Sequence, residues 1–590
     1  MSVDATTIAV VRGYLEQIAD EMCVVQVMSA FSPIVSEMGD MANGIYSFET
    51  GETIVQGRTG QPIFIAAMQA AVQSLLAHVR ARQDAIHPDD VFIFNEPYLG
   101  GTHLPDTKVA KPFSYRGRSY FLLASTGHWA DVGGATPGSF GPKATEIFQE
   151  GIRIPPVRLV DRGRFNRDLH DLLMLNVRLP GPQAGDIQAQ LNVLRIAEER
   201  LTTLFDRYGP DTIAECVAEL KRRSEAQMRS HLEELPDGTY TFEDDLDNDG
   251  LEDRTMRVAL DLTVRGSDVH LDFSRSGPPA KGPVNAARHT TISACQVAMK
   301  HLFPDVPINA GCWAPFDYTI LETTFLGAVP PRPVGGFVEV ASRVIDVIFG
   351  AIAQASPERA YGAAFNTGGT LVLAGTEARR GYYVATLPYG GGYGASAASD
   401  GLIFGTHTIG SANFPSLEAS EHNFPIRWRR FAIREGSGGA GTQVGGCGTV
   451  YDLELLAPAT ATILGDRAKA GPFGVLGGAS GAPNQVQVWA DGQPVEVPLR
   501  SKFGPRDLPA GARFELRSPG GGGYGDPYGR SPALVARDAR RGYITREQAR
   551  GLYAVALVGD GLAVDEAETR RLRVAHAAGG SRTTAAGAVG

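Results

Sequence analysis

KPFSYRGRSYFLLASTGH, residues 111–128, reads as a β-hairpin: two runs rich in aromatic and aliphatic residues meet at Arg116-Gly117, and the second strand, Tyr120 to Ser125, delivers Gly127 and His128 at its end. Just upstream, VFIFNEP (91–97) reads as a short buried strand stopped by Pro97. GGTHLPDTKV (100–109) follows it as a loop in which two glycines lead into His103 and Asp106. If those strands are neighbours in one sheet, the His103 loop and the GHWAD loop (127–131) emerge at the same edge.

Helices bracket this sheet. Ile8, Val11, Leu15, Ile18, Met22 and Val25 recur at three- and four-residue spacings behind Asp4, a candidate N-cap. A second helix is expected to start at Gln61-Pro62 and run through IFIAAMQAAVQSLLAHVRAR, and two more are expected over 185–208 and 210–234. PDG at 236–238 then switches the text to strand-like alternation, with the helices TTISACQVAMKHLF and VASRVIDVIFGAIAQA inserted further on. The expected fold is α+β and multidomain, with mixed and antiparallel sheets, long helices in the N-terminal half, a Gly-rich β region and a C-terminal helical segment. Its divisions are an N-terminal domain over 1–238 carrying the His/Asp loops, a β-rich domain with inserted helices over 239–364, a Gly-rich β domain over 365–530, a helical segment over 531–575 and a disordered tail over 576–590.

A net charge of -10 and a pI near 5.7 leave no basic excess to neutralise phosphates, so nucleic acid and anionic membrane are excluded as general partners. The five cysteines, Cys23, Cys216, Cys295, Cys312 and Cys447, form no CxxC pair and fit reduced thiols. With no signal peptide and no apolar stretch of membrane-spanning length, a cytoplasmic location is expected. Glycine stands out at 71 of 590 residues, and its clusters imply many tight turns, several of them near a ligand.

SPGGGGYGDP (518–527) has GxGxxG-like spacing, but it lacks the Lys-Ser/Thr of a P-loop and sits in no βαβ unit, so a structural turn is the better reading. Asp245, Asp247, Asp249 and Gly250 match an EF-hand loop until its twelfth position, where Met256 cannot supply the bidentate carboxylate; an acidic hairpin turn explains them better. No GxSxG elbow occurs. The paired HxxD motifs remain. Two imidazoles and a carboxylate converging on one point suit zinc, manganese or iron(II) and leave a coordination position open. The alternative is a turn-capping His103 and a hydrogen-bonded core His128.

FNEPYLGGTHLPD (94–106), GHWADVGGATPGS (127–139) and ATEIFQEGIRIPPVRL (144–159) resemble the signature region of the hydantoinase B/oxoprolinase family. FSPIVSEMGD (31–40), DFSRSGPPAKGPVNA (272–286), NAGCWAP (309–315), SGGAGTQVGG (437–446) and PGGGGYGDP (519–527) extend the resemblance over nearly the whole chain, in the family's order. The family supplies B-type subunits of ATP-dependent N-methylhydantoinases and oxoprolinases and the related large subunit of acetone and acetophenone carboxylases. The resemblance implies a metal held by His103, Asp106 and His128, with Asp40 as fourth ligand or near neighbour. It also implies Asp106 as a catalytic carboxylate and Asp131 and Glu150 in catalytic support, orienting imidazoles or positioning water.

The resemblance further implies a divalent metal cofactor (Zn, Mn or Fe), ATP used by an A-type ATP-binding partner subunit in a hetero-oligomer with two or more copies of each, and a small cyclic amide as substrate. The partner would phosphorylate the substrate and this chain would complete its hydrolysis. The alternatives are a subunit of an ATP-dependent ketone carboxylase and a noncatalytic metal-stabilised scaffold for the ATPase. The chain departs from the family pattern in EMGDMANGIY (37–46), where the family has an Arg after the early Glu and a more acidic or aromatic continuation, in NEPY where it has NDPY, and at Gln443-Val444 where it carries an Arg.

Overall fold

The hairpin forms the middle of a seven-stranded antiparallel sheet. In a computed structural model describing residues 3–378 and 381–579, β1 (Met41–Ser47), β2 (Thr53–Gln56), β3 (Val91–Phe94), β4 (Asp106–Tyr115), β5 (Arg118–His128), β6 (Val157–Asp161) and β7 (Arg164–Phe165) stand in the order β2-β1-β5-β4-β3-β6-β7. Arg116 and Gly117 both take positive φ, +50° and +82°, as a two-residue hairpin turn of the right twist requires. The strand of 91–97 therefore neighbours β4 rather than β5, and β4 lies between them.

Side chains alternate across the sheet. Ile93, Val109, Phe113 and Leu123 face the helices Ala5–Ser29 and Pro180–Tyr208. Phe92, Ala110, Leu122 and Ala124 face the helix Phe64–Ala81 and, beyond it, the helices Arg288–Leu302 and Phe337–Ala355. Asp4 caps the first helix as expected, its Oδ1 accepting from the N–H groups of Thr6 and Thr7 at 3.0 Å. The second helix starts at Phe64, not Gln61. Gln61 is held out of it as a bridge: its N–H donates to Met41 O, its Nε2 to Gly39 O, and its Oε1 accepts from Ser411 N.

A second, mixed sheet, β8 (Gly238–Leu246), β9 (Met256–Arg265), β10 (Asp268–Asp272) and β11 (Phe316–Thr319), begins where PDG broke the helical pattern; only its β10–β11 pair is parallel. One apolar core nevertheless runs across the 238/239 boundary, joining Leu75 and Phe92 to Leu260, Val297 and Val344. The acidic turn is an organiser of backbone: Asp249 accepts from Leu251 N and Glu252 N, and Asp247 from Ala468 N and Lys469 N. Beyond it, β12 (Thr370–Glu377) pairs with β13 (Gly381–Pro388) and with the strand Ala459–Leu464.

The glycine runs lie backbone against backbone. A Cβ on Gly521 would come 1.9 Å from Tyr393 O, and one on Gly522 1.8 Å from Phe473 O. Their N–H groups donate to Gly446 O and Ala363 O. Protein fills the space that a phosphate would need, so SPGGGGYGDP is a packing element. The last helix runs past the expected limit of 575 to Gly579; the remainder of the expected tail, 580–590, lies outside the described residues. All five cysteines are unpaired and buried, and among the described residues no helix is long and apolar enough to cross a membrane.

Candidate metal centre

Antiparallel pairing sets Asp106, the first residue of β4, directly opposite His128, the last of β5. Asp40 immediately precedes β1, and its carbonyl accepts the His128 N–H at 3.1 Å. Three strand ends thus meet at one edge of the sheet. Even-numbered positions of β4 and β5 face the Phe64–Ala81 helix, as Ala110 and Ala124 do, so Asp106 and His128 project from that face together. His103 reaches them from the loop after β3. Gly100 makes this loop fit: its φ is +98°, and a Cβ there would fall 2.3 Å from Ala71 N of the helix beneath.

His103 Nε2 lies 3.3 Å from Asp106 Oδ1 and 3.3 Å from His128 Nδ1, and His128 Nδ1 lies 3.1 Å from Asp106 Oδ1. Ligand atoms held at about 2.1 Å from a shared cation stand about 3.0–3.4 Å from each other in octahedral or tetrahedral geometry, so this triangle fits a divalent cation. Asp40 Oδ2, 3.7 Å from His128 Nδ1, flanks a fourth side. The trio is buried. Thr102 Oγ1 hydrogen-bonds Asp106 Oδ2, and the buried Lys108 donates to Asp106 O at 2.7 Å. Phe140 and Phe337 close over the imidazoles, with Phe337 meeting His103 edge-on at 4.9 Å between centroids.

The electrostatics are those of a dry, acid-rich site. Burial disfavours the imidazolium of both histidines and holds His103 below its usual range, whereas Asp106 and Asp40 outweigh burial at His128 and raise it. Burial also pushes Asp40 up to about 6, His128 opposing and Asp106 adding to the shift. Asp106 is held well below the carboxylate range; burial works against this, and the two imidazoles overcome it.

Asp131 and Glu150 stand elsewhere, and neither lines the cleft over the trio. Asp131 accepts from Gly133 N, Gly138 N and Arg178, so it braces the loop that leads to Phe140. Glu150 accepts from Val334 N and Gly335 N at 3.0 and 2.7 Å, fixing the approach to Phe337. Each thus braces a segment that carries one of the rings packed against the histidines. The cleft itself opens between the first sheet and β12–β13, and Glu339 and His407 line it. Neither stands out in the sequence by motif. The available signal for Glu339 is its place with Arg343 and Asp346, charged residues spaced four and three apart in an otherwise apolar helix.

The family model for hydantoinase B/oxoprolinase matches residues 4–527. The chain belongs to that family. Among hydantoinase B/oxoprolinase relatives, caprolactamase subunit beta from Pseudomonas jessenii is 31% identical over 98% of this chain and 100% of that one. The crystal structure of the ATP-dependent caprolactamase from the same organism superposes with a TM-score of 0.88 at 29% identity, covering 97% of this chain and 100% of that one. The B-type subunit of a putative D-/L-hydantoinase from Pseudomonas sp. strain NS671 is 28% identical over 97% of this chain and 98% of its own length. Nucleotide-free acetone carboxylase shares the fold, with a TM-score of 0.89 at 19% identity over 98% of this chain and 84% of that one.

Proposed function

We propose that this chain is the metal-binding B-type subunit of an ATP-dependent cyclic amidase, acting on a hydantoin, 5-oxoproline or a similar lactam that an A-type partner subunit has phosphorylated on its carbonyl oxygen. The observation that carries the reading is the triangle of His103 Nε2, Asp106 Oδ1 and His128 Nδ1 at the floor of a cleft. Family membership supports the reaction class, and relatives named as beta or B-type subunits support the partner.

His103, Asp106 and His128 would hold a zinc, manganese or iron(II) ion, with Asp40 beside them. Bound there, the cation supplies Lewis acidity, lowering the pKa of water and offsetting negative charge on the substrate oxygen. The protein's own groups do the rest. Thr102 and Lys108 fix Asp106; Phe140 and Phe337 keep bulk water from the imidazoles; Gln61 ties the Gly39 carbonyl, next to Asp40, to Ser411 on the far side of the cleft.

The test is an ATPase and ring-opening assay of the copurified complex over hydantoins, lactams and ketones, with and without bicarbonate, with metal analysis of the same sample. Amine release from a cyclic amide, abolished in a His103→Asn/His128→Asn variant that still assembles, is expected. Bicarbonate-dependent turnover of a ketone would replace the amidase with a carboxylase. Full activity in a metal-free complex would remove the cation, and loss of assembly in the double variant would support the metal-stabilised scaffold.

A further inference from the structure

The Phe337–Ala355 helix buries three ionisable residues on one face, Glu339, Arg343 and Asp346. Two of them are consumed by structure. Arg343 pairs with Asp244 at 3.1 Å and Asp466 at 3.0 Å, and Asp346 accepts from Asn366 Nδ2 at 2.6 Å and pairs with Arg467. Glu339 is different. It lines the cleft together with His103, Asp106 and His128. Its Oε1 is anchored by Gly368 N at 2.8 Å and Thr367 Oγ1 at 3.1 Å, while its Oε2, equally buried, has no hydrogen-bond partner among the described residues. Lys502, the cation that acts on it, is paired with Asp466 instead. A buried carboxyl oxygen left unpartnered costs stability unless something arrives to use it.

We propose that Glu339 is the acid that protonates the ring nitrogen of the activated substrate as its C–N bond breaks. This rests on the cyclic-amidase reading above. Addition of water to a phosphorylated lactam leaves a tetrahedral carbon bearing a hydroxyl, a phosphoryl ester and the ring N–H. Two bonds compete to break. If C–O to phosphate breaks, the electron pair leaves with phosphate, the hydroxyl oxygen re-forms the carbonyl and releases its proton, and the intact lactam returns with ATP wasted. If C–N breaks, the pair goes to nitrogen, which takes the Glu339 proton. The hydroxyl oxygen re-forms the carbonyl of an acyl phosphate, its released proton restores the acid, and a second water cleaves the acyl phosphate to carboxylate and phosphate. Phosphate leaves without a proton; an amine does not. A positioned acid therefore decides whether ATP opens the ring.

Burial pushes Glu339 up to about 8, with Asp466 adding to the shift and Lys502, Thr367 and Gly368 opposing it, so the proton is present at neutral pH. Of the other groups lining the cleft, burial pushes Asp40 up to about 6, and Asp106 and Asp40 outweigh burial to raise His128. Burial also raises Asp346. Asp466 is held between Arg343 and Lys502, Asp346 is paired with Arg467, Tyr389 is raised by burial, and burial lowers the cleft's His407 to about 4.

The test counts ATP consumed per amine released by the complex with its A-type partner, on a lactam that the wild type opens, from pH 6 to 9.5. The wild-type ratio is expected to be lowest near neutrality and to rise as pH passes about 8. Glu339→Gln is expected to cut amine release roughly a hundredfold while phosphate release continues, and Glu339→Asp to restore part of the coupling. A flat wild-type ratio, or a Glu339→Gln complex as fast and as coupled as the wild type, overturns the inference; the wild-type series decides even if the variant fails to assemble. A wild-type complex that opens no lactam overturns the cyclic-amidase reading as well.

Discussion

At the proposed metal centre, His128 is the residue at which proton and cation would compete. Burial works against its charged form, yet Asp106 at 3.1 Å and Asp40 at 3.7 Å hold its pKa above the ordinary imidazole value near about 6.5. A metal ligand must shed that proton. The proton is bound below the raised value and lost above it, so cation affinity is expected to weaken as pH falls into the imidazole range. Dialysis of the loaded complex at stepped pH, followed by metal analysis, should show release beginning above the pH at which an isolated imidazole would protonate. Retention of full occupancy at pH 5 would count against His128 as a ligand. That His103, Asp106 and His128 converge was legible in sequence, because the turn at Arg116-Gly117 brings β5 back beside β4 and the pairing, with one bulge at Phe113/Ser114, sets His128 opposite Asp106. Glu339 was not, because its anchors, Thr367 and Gly368, meet it only after the chain has left the helix and returned.

At the scale of elements, glycine separates into positions with room and positions without. Gly13, exposed on the first helix with open space around its missing Cβ, is a mere helix weakener. Gly13→Ala is expected to raise stability by up to about 1 kcal/mol. Gly522 has a carbonyl 1.8 Å from where a Cβ would sit, and its own N–H is committed to Ala363 O. Gly522→Ala is expected to cost about 3 kcal/mol or more, since backbone on both sides must move. Thermal unfolding of the two variants checks both, and a Gly522→Ala protein as stable as the wild type would contradict the close-packed arrangement. Composition alone announces turns; that several glycine runs stack against each other depends on segments as distant as Ala363, Gly446 and Gly521, which no local pattern relates. Glu150 belongs to the same scale. Two backbone donors need its two oxygens, so Glu150→Gln is expected to lose about 1–3 kcal/mol and to loosen the segment that sets Phe337 over His103.

For the whole molecule, the sequence conveys an acidic chain, and the fold determines where that acidity matters. The sheet edge, the Phe337–Ala355 helix and β12–β13 enclose a cleft whose described ionisable lining is Asp40, Asp106, Glu339, His103, His128 and His407, without a lysine or arginine. Much of the remaining wall is apolar, including Ile63, Phe64, Phe140 and Leu464. A ring bearing its own carboxylate would leave water for a wall that offers it no lysine or arginine, and would add a negative charge near Asp40 and Asp106. Of the cyclic amides open to this site, uncharged and methylene-rich rings are therefore expected to be preferred over carboxylated ones such as 5-oxoproline. The difference should reach at least about tenfold in kcat/KM, about 1.4 kcal/mol. The decisive comparison uses an unsubstituted lactam, the same ring with a carboxylate, and the methyl ester of that carboxylate. Charge is the cause if the ester recovers most of the lost rate, and size is the cause if it does not. A preference for the free carboxylate would overturn the expectation.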